Sequence, residues 1–532
     1  MRLSVRITDS LHRIQADDRP SGAGALTLPA ARGERVSCQL AVRATGTPRP
    51  VRARVSAEAD DGLAVRIRRV GYVPVPHHNT PRTAGHVEGR LPGYVGDPLF
   101  DGPSAELWDG ETTAFWVSVR VGRSCRPGAR AVRLLAAADG TTRRVELTVD
   151  VRDVVLKRRR NFPVTHWFYA DALCDAYGVT PWSRAFWPLA ERYIRNVVAH
   201  GQDTLYVPAF TPPLDGVKRP TQLVKIRRTG RDRYRFDFGD VRRWVRTARR
   251  CGIGRFEFNH LFTQWGVAHA IRIYHGQGLD ERLLWPAATP ATGRTYRAFL
   301  SAYLPALERF CRREGILGRS FFHVSDEPHG DDQRRRYAAA RRLLAELAPW
   351  MKVIDALSEI AYAREKVVDT PVANIRAADA FRRAGIDCWA YFACGPRGTY
   401  LNRLMDTPLS KVRMAGWLLY RTGVSGFLHW GYNYWYESQT RRLIDPFTVS
   451  DGRRAPGWAY GDPFVVYPGP DGPIDSVRWE VFAEGLQDFA LLQTVGLPRD
   501  HRLLAELRGF DDFPFSARWI ARARRRLLSM TE

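Results

Sequence analysis

Long apolar runs are missing from this chain. Nowhere do about 18 consecutive apolar residues occur, so no membrane-spanning helix and no membrane partner are expected. The opening residues, MRLSVRITDSLHRIQADD, lack both the apolar stretch of a secretory signal and a small-residue cleavage site. Cysteine is scarce and unpatterned. The seven (Cys38, Cys125, Cys174, Cys251, Cys311, Cys388 and Cys394) are odd in number and include no C-x-x-C, which argues against a disulfide framework and a zinc site. His77-His78, His260 and His329 have no H-x-x-x-H pairing, so no metal and no cofactor are expected. These absences together predict a cytoplasmic protein with reduced thiols.

Acidic residues are in deficit. Against 81 Lys and Arg stand 56 Asp and Glu, a net charge of +25. The surplus is mostly arginine spread along the chain, and its densest runs, Lys157–Arg160 and Arg227–Arg235, are short. No nucleic-acid motif accompanies them, so a nucleic-acid partner is not expected. An anionic saccharide is a more modest use of the same field. Aromatic residues, by contrast, reach 11% with 16 Trp, which suits a large core and equally suits pockets that receive the apolar faces of sugars.

Residues 1–157 read as all-β. Short alternating segments (Arg35–Val42, Val51–Ala57, Ala64–Val70, Thr113–Val121 and Arg143–Val151) are separated by turns such as Asp60-Asp61-Gly62 and Asp139-Gly140. This pattern predicts an antiparallel β-sandwich. From 161 to 532 the pattern changes to apolar runs of strand length alternating with helical stretches, the mark of parallel βα units. Eight strands are predicted: Val164–Tyr169, Thr204–Phe210, Arg255–Leu261, Ser320–Ser325, Lys352–Leu357, Pro371–Ile375, Asp387–Ala393 and Gly426–Tyr432. Helices are predicted over Ser183–His200, Val241–Cys251, Arg294–Glu314, Gln333–Leu347, Ala377–Ala384 and Ser410–Thr422, with a last one over Ser476–Val495. The expected fold is therefore a sandwich followed by a (β/α)8 TIM-like barrel, irregular after the fifth strand. Chemistry in such a barrel sits at the C-terminal strand ends.

Those ends are rich in polar and aromatic residues: His166, Trp167 and Tyr169; Phe210; Asn259 and His260; His323, Ser325, Asp326 and Glu327; Asp355; Asn374; Tyr391 and Arg397; His429, Trp430, Asn433 and Trp435. Strands buried on both faces should be apolar, so this concentration points to a polar ligand. The sharpest segment is Phe321–His329, FFHVSDEPH, where a bulky strand ends in two adjacent carboxylates and Pro328 stops the ladder. Mutual repulsion and lost solvation should raise the pKa of at least one, as a general acid requires. Acids are also at home in the first turn of a helix, where its dipole favours them.

Adjacent residues are poorly placed to flank a sugar from opposite sides at about 5–5.5 Å, the spacing of a two-carboxylate retaining glycosidase. A protein nucleophile would have to come from Asp355, Glu257 or Glu437. An N-acetylated sugar removes the need, because its own acetamido oxygen can attack the anomeric carbon.

The DEP segment resembles the catalytic Asp-Glu of glycoside hydrolase family 123, the β-N-acetylgalactosaminidases, and of the related family once labelled domain of unknown function 4091. Trp389–Tyr400 with Asn402, Arg413–Trp417, Gly426–Trp435, and Gly461–Arg478 with Trp479-Glu480 and Glu484-Gly485 agree in the same order. The N-terminal sandwich is similar to that family's architecture. The resemblance implies a retaining, exo-acting β-N-acetylhexosaminidase on an oligosaccharide or glycoconjugate, with Glu327 as acid/base and Asp326 polarising the acetamido group. Strand position adds Tyr391 for the acetamido oxygen and Trp430 and Trp435 as a sugar platform. It also adds Asn402, Asn433 and Arg397 as hydroxyl or anion contacts, with His323, Trp167 and His260 as further candidates. Asp462, Tyr467, Arg478 and Glu480 fall in a late connection that would either cover the ligand or simply close the barrel. A glycosidase for a non-acetylated sugar and a non-catalytic carbohydrate-binding protein are the alternatives.

Overall fold

A computed structural model describes residues 1–79, 85–211, 220–275, 282–438, 440–451 and 458–531. The N-terminal strands form two five-stranded sheets. One has the order Arg2–Asp9, Arg35–Thr45, Thr112–Val121, Leu63–Val75, Gly93–Asp101; the other, Ala25–Arg32, Thr141–Val155, Gly128–Ala138, Val51–Ala59, Ser104–Leu107. Pairing between these strands is antiparallel except at one place. Ala25–Arg32 runs parallel to Thr141–Val155, with Ala25 opposite Glu146 and Ala30 opposite Val151. The expectation of a purely antiparallel sandwich is corrected there: Ala25–Arg32 turns through Gly33, at φ +83°, into a strand of the other sheet, so a corner and not a hairpin sets its direction.

Thr112–Val121 shows how this unit meets the rest of the chain. Successive side chains point to opposite faces of a strand. Phe115, Val117 and Val119 enter the core between the two sheets, while Ala114 and Trp116 join the larger core beyond. Both faces are buried, so the segment reads as almost continuously apolar.

All eight predicted parallel strands are present, seven of them shorter than expected and the sixth shifted by one residue: Val164–His166, Thr204–Val207, Arg255–His260, Ser320–His323, Ile354–Ala356, Thr370–Asn374, Trp389–Tyr391 and Phe427–His429. They form two parallel arcs rather than one closed sheet. The fifth, sixth, seventh, eighth and first strands make one arc, and the second, third and fourth the other. At both seams main-chain pairing is sparse, and a carboxylate adds to it. Asp203 Oδ1 accepts from Val164 N at 2.9 Å between the first and second strands, and Asp355 Oδ2 accepts from Val324 N at 3.0 Å between the fourth and fifth.

The last long helix, Val477–Val495, starts on the Ser476 side-chain cap and ends at Gly496, φ +73°. Glu480, Glu484 and Asp488 recur every fourth residue and so share one face. Glu480 meets Arg68 at 2.6 Å and Arg35 at 2.8 Å, both from the N-terminal sheets. Glu484 pairs with Arg413, and Asp488 with Arg413 and Arg524, all buried. The helix crosses Ala415–Thr422 at backbone contact, where a Cβ on Gly416 would fall 1.7 Å from Gly485 O. Among the described residues no helix is long and apolar enough to cross a membrane.

Candidate active site

The fourth strand ends at His323, and the chain then makes the turn Ser325-Asp326-Glu327-Pro328. In an extended strand, neighbouring side chains would diverge to opposite faces. Here Glu327 lies at φ +42°, a left-handed conformation that a residue with a Cβ adopts at a cost of about 1 kcal/mol or more. That kink lets both carboxylates line one cavity of about 610 Å³. Surrounding bonds hold the strain in place. Ser325 Oγ donates to Thr263 O at 2.8 Å, Trp265 N to Asp326 O at 2.8 Å, and Glu327 N to Ala356 O at 3.2 Å.

Asp326 and Glu327 are the only carboxylates on the described wall of the cavity. Trp167, Tyr169, Tyr391, Trp430 and Tyr434 supply aromatic surface around them. Tyr391 donates a short hydrogen bond to Glu327 Oε1, and its hydroxyl lies 3.3 Å from Ser358 Oγ. Burial, aided by the neighbouring Glu327 charge, holds the Tyr391 phenol well above its ordinary pKa, so it stays a donor. The hydroxyl expected to meet an acetamido oxygen is thus bonded to the other member of the acid pair.

Beneath the cavity lies a fully buried charged network. His323 Nε2 is 2.7 Å from Glu257 Oε1, and His323 Nδ1 is 3.0 Å from Asp355 Oδ1. Burial opposes a charge on the imidazole, but these two carboxylates outweigh it and push the His323 pKa up to about 10. Glu257 also accepts from Trp167 Nε1 at 2.7 Å and from Thr165 Oγ1, and Asp355 from the Tyr337 hydroxyl at 2.5 Å. The network therefore orients Trp167 from below. His323 and His260 were expected at the ligand, yet they lie outside the cavity wall, and the His260 ring packs on Trp167 and His323. Neither Glu257 nor Asp355, both candidate nucleophiles, lines the cavity; nor does Glu437, which lies 3.5 Å from Arg442.

Four more expected contacts turn into protein. Asn433 grips the backbone of Tyr169 through both amide atoms, at 2.9 and 3.0 Å. Asn402 Nδ2 donates to Ala393 O and Pro396 O at 3.0 and 2.8 Å, holding a loop that does line the cavity. Arg397 donates to Cys394 O and Asn79 O, both at 2.6 Å. Trp435 is core: its Nε1 donates to Val466 O at 3.0 Å. Tyr467 and Arg478 converge on the buried Asp97, and Glu480 on Arg68, so this late connection closes the fold.

Asp462 takes an intermediate position. Its Oδ2 accepts from Trp430 Nε1 at 2.7 Å and from Cys394 Sγ at 3.2 Å, so it braces a cavity aromatic from behind. Burial pushes its carboxyl up to about 6. A raised carboxyl pKa favours the folded state fully below the ordinary aspartate value, and that contribution is lost as pH rises through the folded value. Asp462→Asn keeps an acceptor for Trp430 and removes this loss. Relative to the wild type the variant should gain about 2–3 kcal/mol between roughly pH 4.5 and 7.5, read from denaturant midpoints at both ends. A constant difference across that range would contradict the assignment.

Two buried clusters have metal-like composition among the described residues, His260–His323–Asp355 and His200–Asp475–Glu480. In the first, His323 is already held between two carboxylates; in the second, Arg68 lies 2.6 Å from both acids. In each, ligand atoms are already engaged by protein groups.

Sequence reasoning missed Trp265, Ser358, Arg376 and Trp458, which also line the cavity. Ser358 and Arg376 each fall two residues past a strand end, so a wider window would have found them. Trp265 lies in an irregular segment with no periodic signal.

The architecture can be set beside known structures. A family 123 glycoside hydrolase from Clostridium perfringens, studied for glycolipid glycan hydrolysis, superposes with a TM-score of 0.76 at 13% identity, covering 100% of this chain and 98% of its own. An endo-β-1,4-mannanase from Thermotoga petrophila (TM-score 0.36, 12% identity, 64% and 78% covered) and β-glucuronidase 3 from Bacteroides uniformis (0.30, 11%, 90% and 52%) are too distant to bear on the fold. No curated protein sequence matches the chain. The model of the glycoside hydrolase 123 catalytic domain matches residues 167–495, which spans every parallel strand from the end of the first, the acid pair and the last long helix. The chain thus belongs to glycoside hydrolase family 123.

Proposed function

We propose that this glycoside hydrolase is a retaining, exo-acting β-N-acetylhexosaminidase for terminal N-acetylgalactosamine, with the substrate's 2-acetamido group as nucleophile. The observation that carries the reading is the pairing of adjacent carboxylates with a cavity wall that offers no third one among the described residues. The carboxylates that would supply a protein nucleophile are engaged elsewhere, Asp355 and Glu257 around His323 and Glu437 beside Arg442. In this reading Glu327 protonates the glycosidic oxygen as the acetamido oxygen attacks C1, and Asp326 holds the amide N–H. An oxazolinium forms and the leaving group departs with the proton. Glu327 then takes a proton from the water that opens the ring, so the anomeric configuration is retained. Trp167 and Trp430 serve as sugar platforms, each held by a buried carboxylate behind it.

In the same reading the two arcs belong to one eight-stranded barrel, and the domains run 1–157 and 161–532. Seven free cysteines suit a reducing compartment such as the cytoplasm.

The test is a panel of p-nitrophenyl glycosides with and without the 2-acetamido group. Turnover confined to the N-acetylated members, inhibited by a thiazoline analogue of the bicyclic intermediate, is the expected result. Equal turnover of plain galactosides without thiazoline inhibition would instead require a protein nucleophile. Sugar binding with no turnover would leave a carbohydrate-binding protein.

A further inference from the structure

We infer that Trp265 is the floor of a leaving-group subsite that takes the apolar face of a pyranose attached to the sugar in the cavity. The inference rests on the glycosidase reading above and extends it to the far side of the scissile bond.

Three observations converge on this residue. The first is exposure. Trp167, Tyr169, Tyr391 and Tyr434 are each 9% exposed or less, whereas Trp265 on the same cavity wall is 48% exposed. An indole left half in water contributes little to folding, because apolar surface stabilises only where it is removed from solvent. The second is backbone conformation. Trp265, Gly266 and Val267 lie at φ +54°, +129° and +56°, three left-handed residues in succession, two of which carry a Cβ. Such strain persists only where surrounding structure over-determines it. Here Val267 is buried, and its N–H donates to Thr263 O at 3.3 Å.

The third is placement. Trp265 N donates to Asp326 O at 2.8 Å, so the residue's backbone is tied to the turn that carries both acids. The buried rings enclose the deep end, which is where a terminal sugar fits. Whatever that sugar is joined to must leave through the mouth, past the exposed ring beside the proton donor. A flat apolar surface suits the C–H face of a pyranose, and Gln264, also on the cavity wall, offers an amide to its hydroxyls.

The test compares two donors that share N-acetylgalactosamine: its β-fluoride, whose leaving group has no ring, and a disaccharide with the same sugar β-linked to galactose. In Trp265→Ala the ratio of kcat/KM for disaccharide over fluoride should fall about tenfold to a hundredfold, chiefly through KM, since the ring binds ground and transition state alike. Trp265→Phe should recover most of the ratio. An unchanged ratio overturns the inference, whether both activities fall together or neither does. If the wild-type protein cleaves neither donor, the proposed function fails separately. The subsite is then read by calorimetric titration of the disaccharide: weaker binding to Trp265→Ala keeps it, and equal affinities sink it.

Discussion

Glu327→Gln should lower kcat/KM on an N-acetylgalactosaminide by about 10²–10⁴-fold, the range lost when a positioned general acid is removed. The substitution is nearly isosteric, and the amide oxygen can still accept from Tyr391, so the strained turn keeps its bonds to Thr263, Trp265 and Ala356. What disappears is the transferable proton. The deficit should therefore shrink on substrates with acidic leaving groups, which need less protonation to depart. Initial rates on a nitrophenyl glycoside and on a disaccharide, with thermal unfolding as a check on folding, measure both effects. Activity within tenfold of wild type on the disaccharide would remove Glu327 from the role of acid.

The largest effect on stability is expected at Asp488, far from the cavity. Its carboxylate receives Arg413 Nε at 2.6 Å, Trp417 Nε1 at 3.0 Å and a short bond from Arg524, and all four residues are buried. Asp488→Ala removes the carboxylate that bridges Arg413 and Arg524 and leaves three guanidinium N–H groups and the Trp417 indole N–H without that acceptor in low dielectric, while Glu484 and Glu34 keep their own contacts to the two arginines. Breaking a buried pair from one side costs about 3–5 kcal/mol, because the donors left behind have no solvent to replace the lost acceptor. A surface pair such as Arg66–Asp101, both more than half exposed, contributes roughly nothing to 1 kcal/mol. Urea midpoints of Asp488→Ala and Asp101→Ala should separate accordingly. Comparable small losses in both would mean that the buried cluster relaxes around the vacancy.

The parallel strands were legible because their signal is local. Runs such as Phe321-Phe322 put an apolar side chain on each face, and Pro328 marks where the fourth must stop. The acid pair was legible for the same reason. Side-chain direction was not. Asn433 and Asn402 sit where strand ends place ligand contacts, yet each reaches back to main-chain atoms of a neighbouring segment. Position along a strand says how near a residue is to the mouth, and nothing about which way it points.

Gly128–Ala138, GARAVRLLAAA, shows a second limit. Its Ala, Leu and Arg are good helix formers, but it is a strand between Thr141–Val155 and Val51–Ala59, because tertiary partners override a weak intrinsic preference. The run from Trp265 to Val267 shows a third, since left-handed backbone at a residue with a Cβ has no compositional sign.

The turn bearing Asp326 and Glu327 straddles one of the two seams between arcs. Asp326 is moored through its carbonyl to the three-strand side, and Glu327 through its amide to Ala356 on the five-strand side. Sliding one arc past the other would therefore twist the turn between its two moorings and change how the two carboxylates are aimed. The joint that Asp355 closes is in this sense a spacer gauge for the chemistry above it, and loosening that joint should degrade the pair's alignment before it unfolds anything.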